Sequence, residues 1–359
     1  MIKKKISNLE LSSLTYFITR AFLIGVTFNS LIYSTKQDSW IIPLISIPIG
    51  IIFILLINCI IKYKPNLDIN EKINKLFKGF GLVIIIIITS ILFLACTLNF
   101  LNLNTFIKNS FLTRTPLLAL IFLFSIATLY VVRMGLNTIS RTSNILFYIS
   151  IILMVIIIIG LLPNIDIDNL KPFLNLKNEN YLKGINTFYA FHICPIFLLT
   201  IIPLKKIENS KIKKAISISY IIASISVFFY LLITISSFGY KLSMLYEYPL
   251  FNILKHISIT GFTARVESLL IIQLIFDFFI CHILLIYFIS MNLKYITKAN
   301  NINIWYIIIS ICIILSTLFF SRYKIYLDEL LKFEIPIVTS IVSTFIIILI
   351  CIKIKMSKN

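Results

Sequence analysis

Charge is scarce in this chain. Asp, Glu, Lys and Arg make up 13% of its 359 residues, against roughly 25% in an ordinary soluble domain. Hydrophobic residues make up 59%, and that imbalance excludes a water-soluble globular protein. No soluble domain is left between the apolar runs. The longest connecting stretches, at about 164–183 and 239–265, are too short for an enzyme domain but long enough for a gate or a docking surface. No small-residue cleavage site follows the basic start, so the first apolar run is expected to be a membrane helix rather than a removable signal peptide.

Reactive constellations are missing too. No Ser-His-Asp set, glycine-rich phosphate loop or paired-carboxylate arrangement stands out, so no catalytic residue is assigned, an enzyme is not expected, and no cofactor is implied. The six cysteines (Cys59, Cys96, Cys194, Cys281, Cys312 and Cys351) lie within or at the ends of apolar runs. There free cysteine behaves as a small hydrophobe, and no disulfide or zinc spacing appears. His192 with Cys194, and Cys281 with His282, fit no closed zinc pattern, so no metal site is expected. The formal charge of +19 invites a nucleic-acid partner, but the lysines sit between apolar runs rather than on one face, which argues against it.

What is present is a series of apolar runs of about 17–25 residues, the length that crosses a bilayer. They fall near 9–33, 41–61, 80–103, 116–132, 143–163, 184–203, 215–238, 266–290, 304–321 and 336–352. The expected fold is therefore an all-α integral membrane protein of about ten transmembrane helices, with both termini on one side. Lys and Arg are more numerous in the loops on the side of the N-terminus, which predicts cytoplasmic termini. In the stretch "YEYPLFNILKHI", Leu250, Ile253, Leu254 and Ile257 recur at helical spacing and predict a short amphipathic helix at the outer interface.

Ten spans divide into five plus five, and the first span of each half is interrupted. The first contains "RAFLIGVTFNS", with Gly25 near mid-membrane. The sixth contains Phe191-His192-Ile193-Cys194-Pro195, where Pro195 lacks an N–H and crowds the carbonyl of Phe191. Interruptions at matching positions of two halves point to a midplane site in an inverted-repeat fold. One permease-like domain over 1–359 is expected, with repeats at about 9–163 and 184–352 and broken helices one and six. The ligand-binding candidates are Ile24, Gly25, Val26 and Thr27 from the first break, and Phe191, His192 and Cys194 from the second. Arg20 and Asp277 both fall deep in apolar spans, where ionisable residues pair or line a cavity. An Arg20–Asp277 ion pair between helices one and eight is expected.

Three stretches carry a family resemblance: "STKQDSWIIPLI", "TRTPLLALIFLFSIATLYVVRMGLNTISR" and "YEYPLFNILKHISITGFTARVESL". Taken together, the Lys-Gln-Asp-x-Trp, Thr-Pro, Arg-x-Gly…Arg and Tyr-Pro…Phe-x-x-Arg-x-Glu series resembles the endospore germination permeases, in order across nearly the whole chain. These are the B subunits of nutrient germinant receptors, within the amino acid–polyamine–organocation transporter superfamily. The resemblance implies a protein of the spore inner membrane that senses a small nutrient such as an amino acid. It also implies partners, an A-type subunit and a lipoprotein C-type subunit. Asp38 and Trp40, with Tyr248, Pro249, Arg265 and Glu267, match the family motifs at the outer face, where they would hold a gate or meet partners. In sodium-coupled relatives a cation sits between helices one and eight, a place Arg20 would take here. Many family members carry an acid in a Phe-x-Glu-like element after the sixth-helix break. This chain has Phe191-His192-Ile193-Cys194 instead. An active amino-acid permease is the alternative function.

Overall fold

The computed structural model describes residues 5–22, 26–174, 180–207, 211–256 and 266–357. Among these, every named element is helical, and the sole β feature is an isolated bridge between Ile6 and Ile207. The first span is two pieces, α1 (Asn8–Arg20) and α2 (Val26–Thr35). The chain continues as α3 (Ile41–Lys62), α4 (Ile69–Phe77), α5 (Gly81–Ser110), α6 (Leu117–Met134) and α7 (Leu136–Leu161). The second half begins with α8 (Tyr181–Phe188), a π-turn over Tyr189–Ile193 and a 3-10 segment over Cys194–Ile201, which together form helix six. It then runs through α9 (Ile212–Leu245), α10 (Pro249–His256), α11 (Val266–Thr297), α12 (Ile302–Ser321), α13 (Lys324–Lys332) and α14 (Glu334–Met356).

Nine stretches of the described residues are long and apolar enough to span a bilayer. The tenth span is the α1/α2 pair, whose pieces of 13 and 10 residues are each too short alone. All ten spans therefore lie where the apolar runs place them, in the five-plus-five arrangement with helices one and six broken.

Local signals explain the ends. Ser7 and Glu10 close a capping box at the start of α1, with bonds of 3.2 and 2.9 Å. Gly135, at φ 85°, separates α6 from α7, a backbone conformation that glycine adopts without penalty. Gly239, at φ 69°, kinks α9. Two helices occupy segments read from sequence as loop, α4 and α13. Both are short and amphipathic, and neither is apolar enough to register as a span. The predicted amphipathic helix is α10. Its Leu250, Ile253 and Leu254 are buried within the protein, so its apolar face packs on helices rather than on lipid, while Ile257 lies outside the described residues.

The helices form an inner and an outer set. The most apolar window of α11 is 72% buried, and those of α9 and helix six are each 61% buried, whereas that of α7 is 17% buried. Every residue of α1 from Ser13 to Arg20 is buried, and α1 packs on α7, α9 and α11. The two broken helices thus sit at the centre, where freed backbone groups meet protein rather than lipid.

Candidate functional site

A broken helix leaves its last carbonyls without intrahelical partners. At the end of α1 two of these are taken up by neighbouring helices. The Nδ1–H of His192 in the π-turn donates to the carbonyl of Thr19 at 2.6 Å, and Nδ2 of Asn99 in α5 donates to the carbonyl of Ala21 at 3.3 Å. His192 is held by stacking on Phe188, ring centroids 4.4 Å apart. Phe22 meets Phe191 at 5.8 Å, so an aromatic pair bridges the two breaks. With Nδ1 carrying the proton, Nε2 of the neutral ring is an acceptor. That Nε2 and Asn99 Oδ1 are buried and have no hydrogen-bond partner among the described residues. Two acceptors with unused capacity therefore flank the end of α1.

At the same helix end, Arg20 and Asp277 meet. Nη2 and Oδ2 are 3.2 Å apart, and both side chains are fully buried. The guanidinium also donates to the Tyr16 hydroxyl and lies over the rings of Tyr16 and Tyr230, at 4.8 and 5.4 Å from their centroids. The Tyr230 hydroxyl donates to Gln273 Oε1, whose Nε2 in turn donates to the carbonyl of Ser150 at 2.9 Å. A polar network thus ties α1, α7, α9 and α11 together within an apolar bundle.

Beside the helix-six break lies a cavity of about 110 Å³ between α5, helix six and α14. Its walls are almost wholly apolar, including Phe22, Leu98, Phe191, Pro195 and Ile347, with Cys194 and Ser343 among the few polar groups. On its α14 side a row of hydroxyls faces helix six. Ser340 donates to Asn186 Oδ1 at 2.7 Å, Tyr189 bonds Thr344 at 2.8 Å, and Cys194 bonds Ser343 at 3.1 Å.

Of the binding candidates, the structure brings Phe191, His192 and Cys194 to this region, while Thr27 is buried at the start of α2. Ile24, Gly25 and the side chain of Val26 lie outside the described residues. Asn99, Thr19, Tyr16, Tyr230 and Gln273 were not singled out by sequence. Asn99 and Gln273 did carry a signal, being amides deep inside apolar runs. Among the described residues no group of three or more His, Cys, Asp and Glu gathers that could hold a metal ion.

The motif residues of the outer face divide between two places. Asp38 is fully buried. Its carboxylate accepts from the Tyr181 hydroxyl at 2.5 Å and the Leu174 N–H at 3.1 Å, which pins the loop before helix six to the end of α2. Trp40 packs edge-on against Phe228. Elsewhere, Tyr248 packs on Phe106 and donates to Glu247 Oε1 at 2.8 Å, and Lys324 pairs with the same carboxylate. Pro249 opens α10 and Glu267 lies in the first turn of α11; Arg265 is outside the described residues.

Solved structures share this architecture. A nucleobase–cation-symport-1 family transporter, Mhp1, in a closed conformation with bromovinylhydantoin bound, matches with a TM-score of 0.65 at 11% identity, over 88% of this chain and 72% of that one. A manganese transporter from Eremococcus coleocola, in complex with an aromatic bis-isothiourea compound, matches with a TM-score of 0.53 at 10% identity, over 96% and 76%. At such identity the likeness speaks for the fold alone. No curated protein matches the chain by sequence. The model of one family, described as spore germination protein, matches residues 9–325. With the ordered motifs and the broken-helix architecture already in view, that match over most of the chain makes it a member of the spore germination protein family of membrane permeases.

Proposed function

We propose that the chain is the membrane subunit of a spore germinant receptor, a single permease-like domain that binds a small amine-bearing nutrient, an amino acid, where helices one and six break. The observation that carries this reading is the pair of buried acceptors, His192 Nε2 and Asn99 Oδ1, beside the end of α1. An ammonium group offers three donors and no acceptor, and so complements them. These groups take the part that an acid after the break plays in other family members. The cavity beside Phe191 and Cys194 would receive an apolar side chain. Ile24, Gly25, Val26 and Thr27 would supply the rest of the pocket from helix one.

A ligand shifts a conformational balance only through unequal affinity for the two states. Here closure of helix six on α1 around the ligand would be the favoured state, passed on to A-type and lipoprotein C-type subunits at the outer face. The setting is the spore inner membrane with both termini on the core side. The lysine-rich loops on that side support the orientation.

Spores carrying His192→Phe keep the stacking ring and lose both the Nε2 acceptor and the Nδ1–H bond to Thr19. They are expected to lose germination toward single amino acids while holding normal amounts of the protein. Germination with the same panel at the same concentrations would remove His192 from the site. The fold of the solved relatives favours a second reading, active transport. Saturable uptake of a labelled amino acid by this chain alone, without partner subunits, would select it.

A further inference from the structure

A second cavity, of about 570 Å³, lies far from the helix breaks, on the face that carries both termini. It is bounded by the first turn of α4 and by the last turns of α11, and charged and amide side chains share its walls with apolar ones such as Leu82, Met291 and Ile296. Four charged residues reach it: Asp68, Glu71, Lys294 and Lys298.

The acids are already engaged. Asp68 and Glu71 close the capping box of α4, with Glu71 Oε2 accepting from the Asp68 N–H at 3.1 Å. Lys72, one residue beyond Glu71, is buried and donates to the carbonyls of Ile60 and Ile61 at 3.1 and 3.0 Å, so a fixed ammonium also stands close to the Asp68 carboxylate. The bases are not engaged. The ammonium groups of Lys294 and Lys298 make no hydrogen bond or ion pair with any described residue. Asn70, on the same wall, is 4% exposed, and its side-chain amide is likewise unbonded. Two unpaired ammonium groups and a buried amide that can donate two N–H bonds therefore line one cleft.

We propose that this cleft binds a phosphate-bearing anion, with Lys294 and Lys298 as charge partners and Asn70 as hydrogen-bond donor. The phosphate can come from the headgroup of an anionic phospholipid, because polybasic surfaces beside membrane helices attract such headgroups, or from a soluble phosphate compound. Occupancy would tie α4 to the end of α11, the inner helix that carries Asp277 at its middle. The proposal does not depend on the germinant reading above, and its test does not use germination.

The test uses the full chain in phosphatidylcholine nanodiscs. In one arm its unfolding temperature is followed while potassium phosphate replaces potassium chloride at constant ionic strength. In the other arm phosphatidylglycerol is blended into the nanodisc. An upward shift is expected in at least one arm, and the arm that responds identifies the source of the phosphate. The Lys294→Gln/Lys298→Gln variant, which breaks no contact within the chain, should unfold as the native protein does in plain phosphatidylcholine. Its half-maximal phosphate concentration should rise by about tenfold or more, since charge-assisted bonds of this kind are each worth roughly a factor of ten. Asn70→Asp, which places a repelling charge on the wall, should also weaken the response. No shift in either arm, or a shift that the lysine variant retains in full, overturns the proposal.

Discussion

The Arg20–Asp277 pair shows how a single residue's chemistry is set by its surroundings. Two opposite charges in a low-dielectric interior attract strongly, but each has lost its hydration. Here the pair is supplemented by the Tyr16 hydroxyl and two aromatic faces, while Arg20 Nε and Asp277 Oδ1 lack hydrogen-bond partners among the described residues. Removing one partner strands the other. Asp277→Leu is expected to cost about 3–5 kcal/mol of stability and to lower the amount of protein recovered from membranes. The double variant Arg20→Met/Asp277→Leu restores an uncharged interior and is expected to recover most of that loss in a thermal unfolding assay. A double variant as unstable as the single one would show that the charges are not what the bundle centre requires.

At the scale of the element, helix six is held by adjustable contacts. The hydroxyls of α14 that face helix six each have an alternative within their own helix. Ser340 bonds the Ile337 carbonyl at 2.9 Å and Ser343 bonds the Thr339 carbonyl at 2.6 Å, so both hydroxyls keep a partner when their bonds to helix six open. The outer helix α13 has a different sensitivity. Asp328 is partly buried there, and desolvation, opposed by Lys324 and reinforced by Glu247, raises its carboxyl to about 6 from 3.8. A carboxyl raised on folding favours the folded state while protonated. Its contribution is present below about pH 4 and is lost as pH rises through about 6. Amide exchange of α13 should therefore quicken between pH 4 and 7 beyond the intrinsic chemical rate. Asp328→Asn should abolish that excess, and an excess that persisted in the variant would have another origin.

Over the whole molecule, two of the ten spans are broken and central, and the fixed cation of Arg20 lies between α1 and α11. If that guanidinium holds the place of a coupling ion, the response of the protein does not depend on sodium. Germination rates are expected to be unchanged within error when sodium chloride is replaced by choline chloride at equal ionic strength. A severalfold loss would require a sodium site elsewhere.

Residue order alone determined that this is a membrane bundle, where its ten spans lie, that the first and sixth are broken, and which family it belongs to. Those features are written in local quantities: the length of an apolar run, a proline without an N–H, motifs in order. Tertiary structure decided the rest. That His192 turns its Nδ1–H to a carbonyl 173 residues away depends on two helices crossing, which no local pattern encodes. Asp38 reads as a motif acid of the outer face, a gate or partner contact, yet it is buried because the loop before helix six folds over it. Lys294 and Lys298 look like ordinary solvated charges at the end of a span. Only the packing of α4 on α5, against which α11 also packs, places them beside Asn70 around a common cleft, because short amphipathic helices declare their position through what they cover rather than through their own composition.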